Sequence, residues 1–254
     1  MVMFKPVAAT SFQDLVYDQL SDALMTGAFW PGEALNINDL AAQFGTSIMP
    51  VRDAVRRLAA ERALLVEPQK GVRVWRPTKS EFAEITHVRT LLEGDVTAAA
   101  VAHLTDKHIR DVARAIDEMN EHEVFRSERF LVLNKQIFFT LYEAAQRPAT
   151  LPIIQSLWRQ IGPIVRLYSL VEAFPPTVET SLAFVEALRR RDAETAREIR
   201  IKQILRPSEI LMSRFDEIME YRNDSPRQLA HVKPIASELL DGKTRRPGRP
   251  RSAR

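Results

Sequence analysis

Hydrophobic positions recur with helical spacing through most of this chain. The stretch Phe12 to Met25 predicts an amphipathic first helix through Leu15, Val16, Leu20, Ala23 and Leu24, closed by Gly27 and the Pro31-Gly32 turn. Asn36 or Asn38 can cap a short second helix through Leu40, Ala41 and Phe44, and Gly45 supplies the left-handed residue that stops it. Val51, Ala54, Val55 and Leu58 then fall at i, i+3, i+4 and i+7, one apolar stripe of a third helix. Ser47 can cap its open amides, and Pro50 lies in the first turn, where a missing N–H costs little. After Glu61 the period changes: Leu64, Leu65 and Val66 read as a strand, Pro68-Gln69-Lys70-Gly71 as a tight turn and Val72-Arg73-Val74 as an alternating strand, a hairpin with Lys70 at its tip. Helix, glycine turn, helix and hairpin together predict a winged helix-turn-helix over residues 11–77.

Pro77 and the Thr78-Lys79-Ser80-Glu81 start signal mark a boundary. Residues 80–221 show long helical patterns broken at Thr105-Asp106, near Glu123, at Arg147-Pro148, at Pro175-Pro176 and at Arg191-Asp192, which makes about six helices. Leu151, Ile154, Leu157, Trp158, Ile161, Ile164, Val165 and Tyr168 give one of them an apolar surface wide enough to be central, with Gly162 and Pro163 placed to bend it. A bundle of this kind can enclose a cavity. The fold class is therefore mainly α, an N-terminal winged helix-turn-helix followed by an all-α bundle. The predicted organisation is a loose arm over residues 1–10, the winged domain over 11–77, the bundle over 78–222, and a linker and basic tail over 223–254, with a short helix near 235–240. No internal repeat of 20 to 50 residues is visible.

Composition narrows the function classes. The chain has 254 residues, 45% of them hydrophobic, enough for two packed cores, and no apolar run approaches the roughly 18 residues that cross a bilayer. The N-terminus has no secretory pattern, so a soluble cytoplasmic protein without a membrane partner is expected. With no cysteine, disulfides, thiolate metal sites and cysteine nucleophiles are excluded. The net charge of +3 conceals an uneven distribution. Residues 242–254 carry six basic side chains and no acid, and residues 46–76 carry seven against three, which leaves the remaining body at about −7. Positive charge concentrated on the winged segment fits a DNA-binding module joined to a body that does not bind DNA. In such a module arginine and lysine hold phosphates, while side chains at the start of the second helix of the motif read base edges. The candidate DNA-binding residues are Ser47, Ile48, Met49, Pro50, Arg52, Arg56, Arg57, Lys70, Gly71 and Arg73, with Arg52 foremost.

From Ser11 to Tyr221 the chain resembles the GntR family of bacterial transcription regulators, in the FadR-type branch with an all-helical (FCD) ligand-sensing C-terminal domain. The resemblance rests on Leu40-Ala41 with Gly45, on Ser47, on the run Pro50-Val51-Arg52-Asp53-Ala54-Val55-Arg56-Arg57-Leu58, and on Gly71 of the wing. In the sensor it rests on Val88-Arg89 with Leu92-Glu93, and on Ala187-Leu188 with Asp192 and Ala196. It implies a repressor that binds a pseudo-palindromic operator on double-stranded DNA as a homodimer and responds to a small-molecule effector in the bundle.

Departures from the family pattern are informative. Many members carry an arginine just after the cap, where this chain has Ile48 and Met49, so Arg52 and Arg56 bear more of the DNA reading. The branch often holds a divalent metal with an Asp, a His four residues later and two further histidines. The matching positions here are Asn134, Phe138, Ser181 and Gln203, which predicts that the metal is lost and no cofactor is held. His87, His103, His108, His122 and His231 include no pair at i, i+4. An anionic effector would then need another counter-charge, for which Arg89 and Arg166 are the candidates, although Arg89 can equally pair with Glu93 four residues on. The expected effector is a partly apolar small organic molecule held by hydrogen bonds and one arginine.

The tail segment containing Arg246, Gly248, Arg249 and Arg251 is similar to an AT-hook, although Pro247 stands where that motif has arginine; a disordered basic tail is the other reading. Two rival functions fit parts of the pattern. One is an architectural, nonspecific DNA binder working through wing and tail. The other, more distant, is an enzyme in the bundle, against which stand the missing phosphate loop, nucleophile–base pair and metal cluster.

Overall fold

The computed structural model describes residues 12–67, 71–121, 124, 127–168 and 178–220. The N-terminal part comprises α1 (Phe12–Met25), β1 (Ala34–Leu35), α2 (Ile37–Gln43), α3 (Ile48–Ala60), β2 (Leu64–Glu67) and β3 (Gly71–Val74). Its core gathers Val16, Leu20 and Leu24 of α1, Leu40 and Ala41 of α2, the predicted stripe Val51, Ala54, Val55 and Leu58 of α3, and Leu64, Val72 and Val74 of the strands. Asn36 proves to be the cap of α2, its side chain accepting from the Asn38 amide at 2.8 Å, and Gly45 follows with φ +62°.

Three expectations are corrected here. The wing is a three-stranded antiparallel sheet in the order β1-β3-β2, because β1 adds to the free edge of β3 with Ala34 opposite Arg73 and Leu35 opposite Val72. Two residues are too few for a period, so the pattern could not reveal this strand. Ser47 occupies the cap position of α3 but its side chain makes no capping hydrogen bond. Leu15, assigned to the apolar face of α1, is exposed. Lys70 at the wing tip, the arm and the tail with Arg246, Gly248, Arg249 and Arg251 lie outside the described residues.

The bundle consists of α4 (Lys79–Val101), α5 (Asp106–Met119), α6 (Glu128–Ala144), α7 (Leu151–Tyr168), α8 (Val178–Arg189), α9 (Ala193–Ser213) and α10 (Phe215–Glu220). Thr78 and Glu81 form a reciprocal capping box at the start of α4, as the start signal implied. Seven helices stand among the described residues where about six were expected, because the last pattern breaks at Arg214 and splits off α10. Helices α4 and α9 run antiparallel at the centre: Glu93 meets Arg200, while Phe215, just past the end of α9, lies 6.0 Å from Phe82, and Arg191, just before its start, donates to the carbonyls of Val101 and Leu104. Ile154, Trp158, Ile161 and Ile164 of α7 are buried as predicted.

Gly162 acquires a role the pattern did not give it. A Cβ there would lie 2.1 Å from the Leu24 carbonyl oxygen, so α7 needs glycine to let the end of α1 cross it. Along the same seam Arg166 Nη1 donates to the carbonyls of Gly27 at 2.8 Å and Ala28 at 3.2 Å, and Lys135 pairs with Asp22. The winged part and the bundle are joined through α1 and α7.

Candidate nucleic-acid interface and sensor core

Burying one face of α3 turns the opposite face outward. Ser47, Ile48, Met49, Arg52 and Arg56 are exposed, and among the described residues Arg52 has no hydrogen-bond or ion-pair partner. Arg56 reaches Asp53 at 3.6 Å while keeping most of its surface exposed, so it stays available. Arg57 goes elsewhere: the helical step turns it toward α1, where it pairs with Asp14 at 2.9 Å and lies 3.8 Å over the Tyr17 ring. Gly71 opens β3 with φ +86°, and exposed Arg73 donates to the Gly32 carbonyl at 3.1 Å. Pro50 sits half-buried in the first turn of α3.

The end of α3 is gripped by the bundle. Its cap residue Glu61 accepts from the Tyr17 hydroxyl at 2.7 Å, and its carboxylate lies 2.7 Å from Arg159 Nε of α7. Gln160 donates to the Glu61 carbonyl at 3.3 Å. Burial first, and then the bond to Glu61, push the Tyr17 phenol up to about 12, so it remains a donor. A cleft of about 400 Å³ opens beside this contact.

Within the bundle the notable assembly is a buried ionic network. Arg89 Nε donates to Glu93 Oε1 at 2.6 Å, Tyr142 donates to Glu93 Oε2 at 2.6 Å, Arg200 pairs with the same carboxylate, and Arg200 Nε donates to the Tyr142 hydroxyl at 2.9 Å. Glu93 is fully buried and both arginines nearly so, which leaves this trio of charges at +1. Burial raises the Glu93 carboxyl, but Arg89 and Arg200 outweigh it and hold the group at about 2. Burial also pushes the Tyr142 phenol well above its ordinary range.

The predicted effector residues surround this network incompletely. The Arg200 guanidinium lies 3.4 Å over the Phe138 ring, whose centroid is 6.2 Å from those of both Trp158 and Phe184. Gln203 stands one turn beyond Arg200 and buried Ser181 one turn before Phe184, while Asn134 is half-buried one turn before Phe138. Arg89 is present, 5.7 Å from the Trp158 ring, in the ion-pair role that was the alternative for it. Arg166 is not part of this group: it belongs to the α1 seam, paired with Glu128 at 3.3 Å and 4.5 Å over the Trp30 ring. Thr86 Oγ1, Trp158 Nε1 and Gln203 Oε1 are buried without a hydrogen-bond partner.

Arg200, Tyr142 and Trp158 were missed as candidate site residues. The signal existed for Arg200, which interrupts the otherwise apolar or small stripe Ala196, Ile199, Ile204, Ser208 and Leu211 of α9. A charge on a buried face demands a partner, yet the stripe does not say which one.

Comparison with known proteins decides the family. The sequence matches the bacterial regulatory proteins of the gntR family over residues 12–74 and the FCD domain over residues 84–205. It is 30% identical to the HTH-type transcriptional regulator McbR of Escherichia coli (strain K12), across 72% of this chain and 84% of that protein. The chain belongs to the gntR family of bacterial regulatory proteins. It is a DNA-binding transcription regulator and not an enzyme. It is also 25% identical to the gluconate operon transcriptional repressor of Bacillus subtilis (strain 168), across 68% of this chain and 74% of that protein. The solved structure of E. coli McbR/YncC superposes with a TM-score of 0.73 at 27% identity, covering 82% of this chain and all of that one. A gntR regulator from Rhodococcus sp. RHA1, at 19% identity and a TM-score of 0.65, shares the fold over 80% of this chain and 99% of that one. In this family member no described helix is long and apolar enough to cross a membrane.

Proposed function

We propose that this regulator is a homodimeric repressor that holds a pseudo-palindromic operator and responds to a small organic effector in its bundle. The carrying observation is the outward face of α3, where Arg52 and Arg56 stand one turn apart opposite a wholly buried stripe. Ser47, Ile48, Met49 and Pro50 lead that face into the major groove, and Gly71 and Arg73 of the wing lie against the flanking backbone. Arg57, paired with Asp14, ties α3 to α1 at the edge of that face.

A fluorescence-anisotropy titration of the full chain on DNA from its own upstream region, against a scrambled duplex at two salt concentrations, tests the reading. Preference of about a thousandfold or more is expected. Equal, steeply salt-dependent binding to both that duplex and every other segment tried would favour nonspecific coating. Arg52→Ala is expected to weaken the operator complex by about 1–3 kcal/mol, the cost of a lost bidentate base contact. An unchanged isotherm removes Arg52 from the interface.

Chemistry argues that the effector binds without a metal. Asn134, Phe138, Ser181 and Gln203 offer no carboxylate or imidazole, and the Arg200 guanidinium already covers Phe138, where a second cation would be repelled. The unpartnered Thr86, Trp158 and Gln203 atoms, beside a network of charge +1, suit a partly apolar molecule with hydrogen-bonding groups and at most one negative charge. Titration calorimetry with zinc and nickel is expected to show no stoichiometric binding; a tight one-to-one isotherm overturns this reading. Trp158, Arg159 and Gln160 are consecutive on α7, the first in the sensor core and the other two on Glu61 at the end of α3. That continuity provides a short route from effector to DNA-binding helix.

A further inference from the structure

The outward stripe of α3 changes character along its length. Ile48 and Met49, in the first turn, expose 42% and 57% of their surface, whereas Arg52 and Arg56 follow at successive turns on the same side. Two large apolar side chains left half in water at the leading end of an otherwise cationic face lie outside the core of this domain, which draws on Val51, Ala54, Val55 and Leu58 of the same helix. The neighbouring Ser47 hydroxyl, free of its capping bond, leaves the same corner open.

We propose that Ile48 and Met49 are specificity-determining residues that read thymine methyl groups in the major groove. This rests on the operator reading above. The first turn of a recognition helix lies nearest the base edges, and the thymine C5 methyl is the one apolar group that the major groove presents. Arg52 and Arg56 supply the charge complementarity that brings this face onto DNA, and they fix how far the first turn enters. Ile48, branched at Cβ, has one stiff orientation and discriminates sharply. Met49, unbranched and polarisable, tolerates a thymine displaced by a base step. The half-site therefore carries thymine at one or two positions facing the leading end of α3, where an arginine at the same place would select guanine.

Selection of bound duplexes from a random library by the full chain, followed by replacement of each selected thymine with deoxyuridine, tests the proposal. Deoxyuridine keeps every hydrogen bond and removes only the methyl. Affinity is expected to fall about fourfold at each contacted thymine, the worth of one buried methyl-sized group. In Ile48→Ala and Met49→Ala chains, which substitute exposed positions and leave the core intact, that dependence disappears at the position each residue reads. A preferred sequence bound equally with thymine or deoxyuridine overturns this inference and leaves the operator reading standing, whereas a selection with no preferred sequence overturns both. Methyl dependence unchanged in the two variants also overturns it. So does a change in oligomeric state with the thymine dependence intact, which would assign the patch to contact between copies of the chain.

Discussion

Replacing Glu93 by alanine is expected to cost about 3–5 kcal/mol of folding free energy, the penalty for stranding buried charge. The carboxylate accepts from Arg89, Arg200 and Tyr142 inside the bundle, so its loss leaves two nearly buried guanidiniums facing each other without compensation. Urea unfolding at neutral pH measures the effect, and a loss below about 1 kcal/mol would mean that the pair is solvated and the network carries little. The same group makes an acid-dependent contribution. Its folded pKa of about 2 lies below the ordinary 4.5, so the stabilisation is complete above about pH 4.5 and drains away as pH falls toward 2. The difference in stability between the native and Glu93→Ala chains should therefore shrink over that interval and be constant above it with respect to this group.

Gly162→Ala should be the other severe substitution, costing about 3 kcal/mol, the upper end of overpacking penalties. The added Cβ would lie 2.1 Å from the Leu24 carbonyl oxygen and 2.9 Å from the Met25 backbone, so no side-chain rotation relieves the clash. Only α1 or α7 can move, and α1 packs on α3 while α7 holds Glu61 through Arg159. The substitution should lower the thermal midpoint and weaken operator binding together. Gly45→Ala is the control: nothing lies within 4 Å of its Cβ, and its φ of +62° costs only about 1–2 kcal/mol. Equal losses at the two glycines would show that the seam yields easily.

Gly162 marks the limit of what the chain's local pattern encodes. Gly162 was legible as a glycine inside an apolar helix, and bending was the role that neighbouring Pro163 suggested. Its close approach to Leu24 involves a residue 138 positions away, which no local pattern encodes. Arg166 was a reasonable counter-charge for the bundle, yet the crossing of α1 over α7 draws it to the Gly27 carbonyl instead. Arg57 likewise follows the azimuth of α3 to Asp14.

By itself the sequence determined the long helices, the hairpin and the buried stripe of α3, although not β1, α10 or the exposure of Leu15. The stripe of α3, a cap at Asn36 or Asn38, Gly45 and the box of Thr78 with Glu81 depend on residues at most a few positions apart, whose spacing decides helix, face and terminus together. It also carried the family, because those signals occur in one characteristic order. Tertiary structure alone decided which charges meet. Arg200 finds Glu93 across 107 positions because α4 and α9 run antiparallel at matching height, and the two-residue strand β1 exists only because β3 offers it an open edge. Local periodicity is a property of neighbours along the chain, whereas a buried ion network or a glycine under a crossing helix is a property of elements brought together by folding.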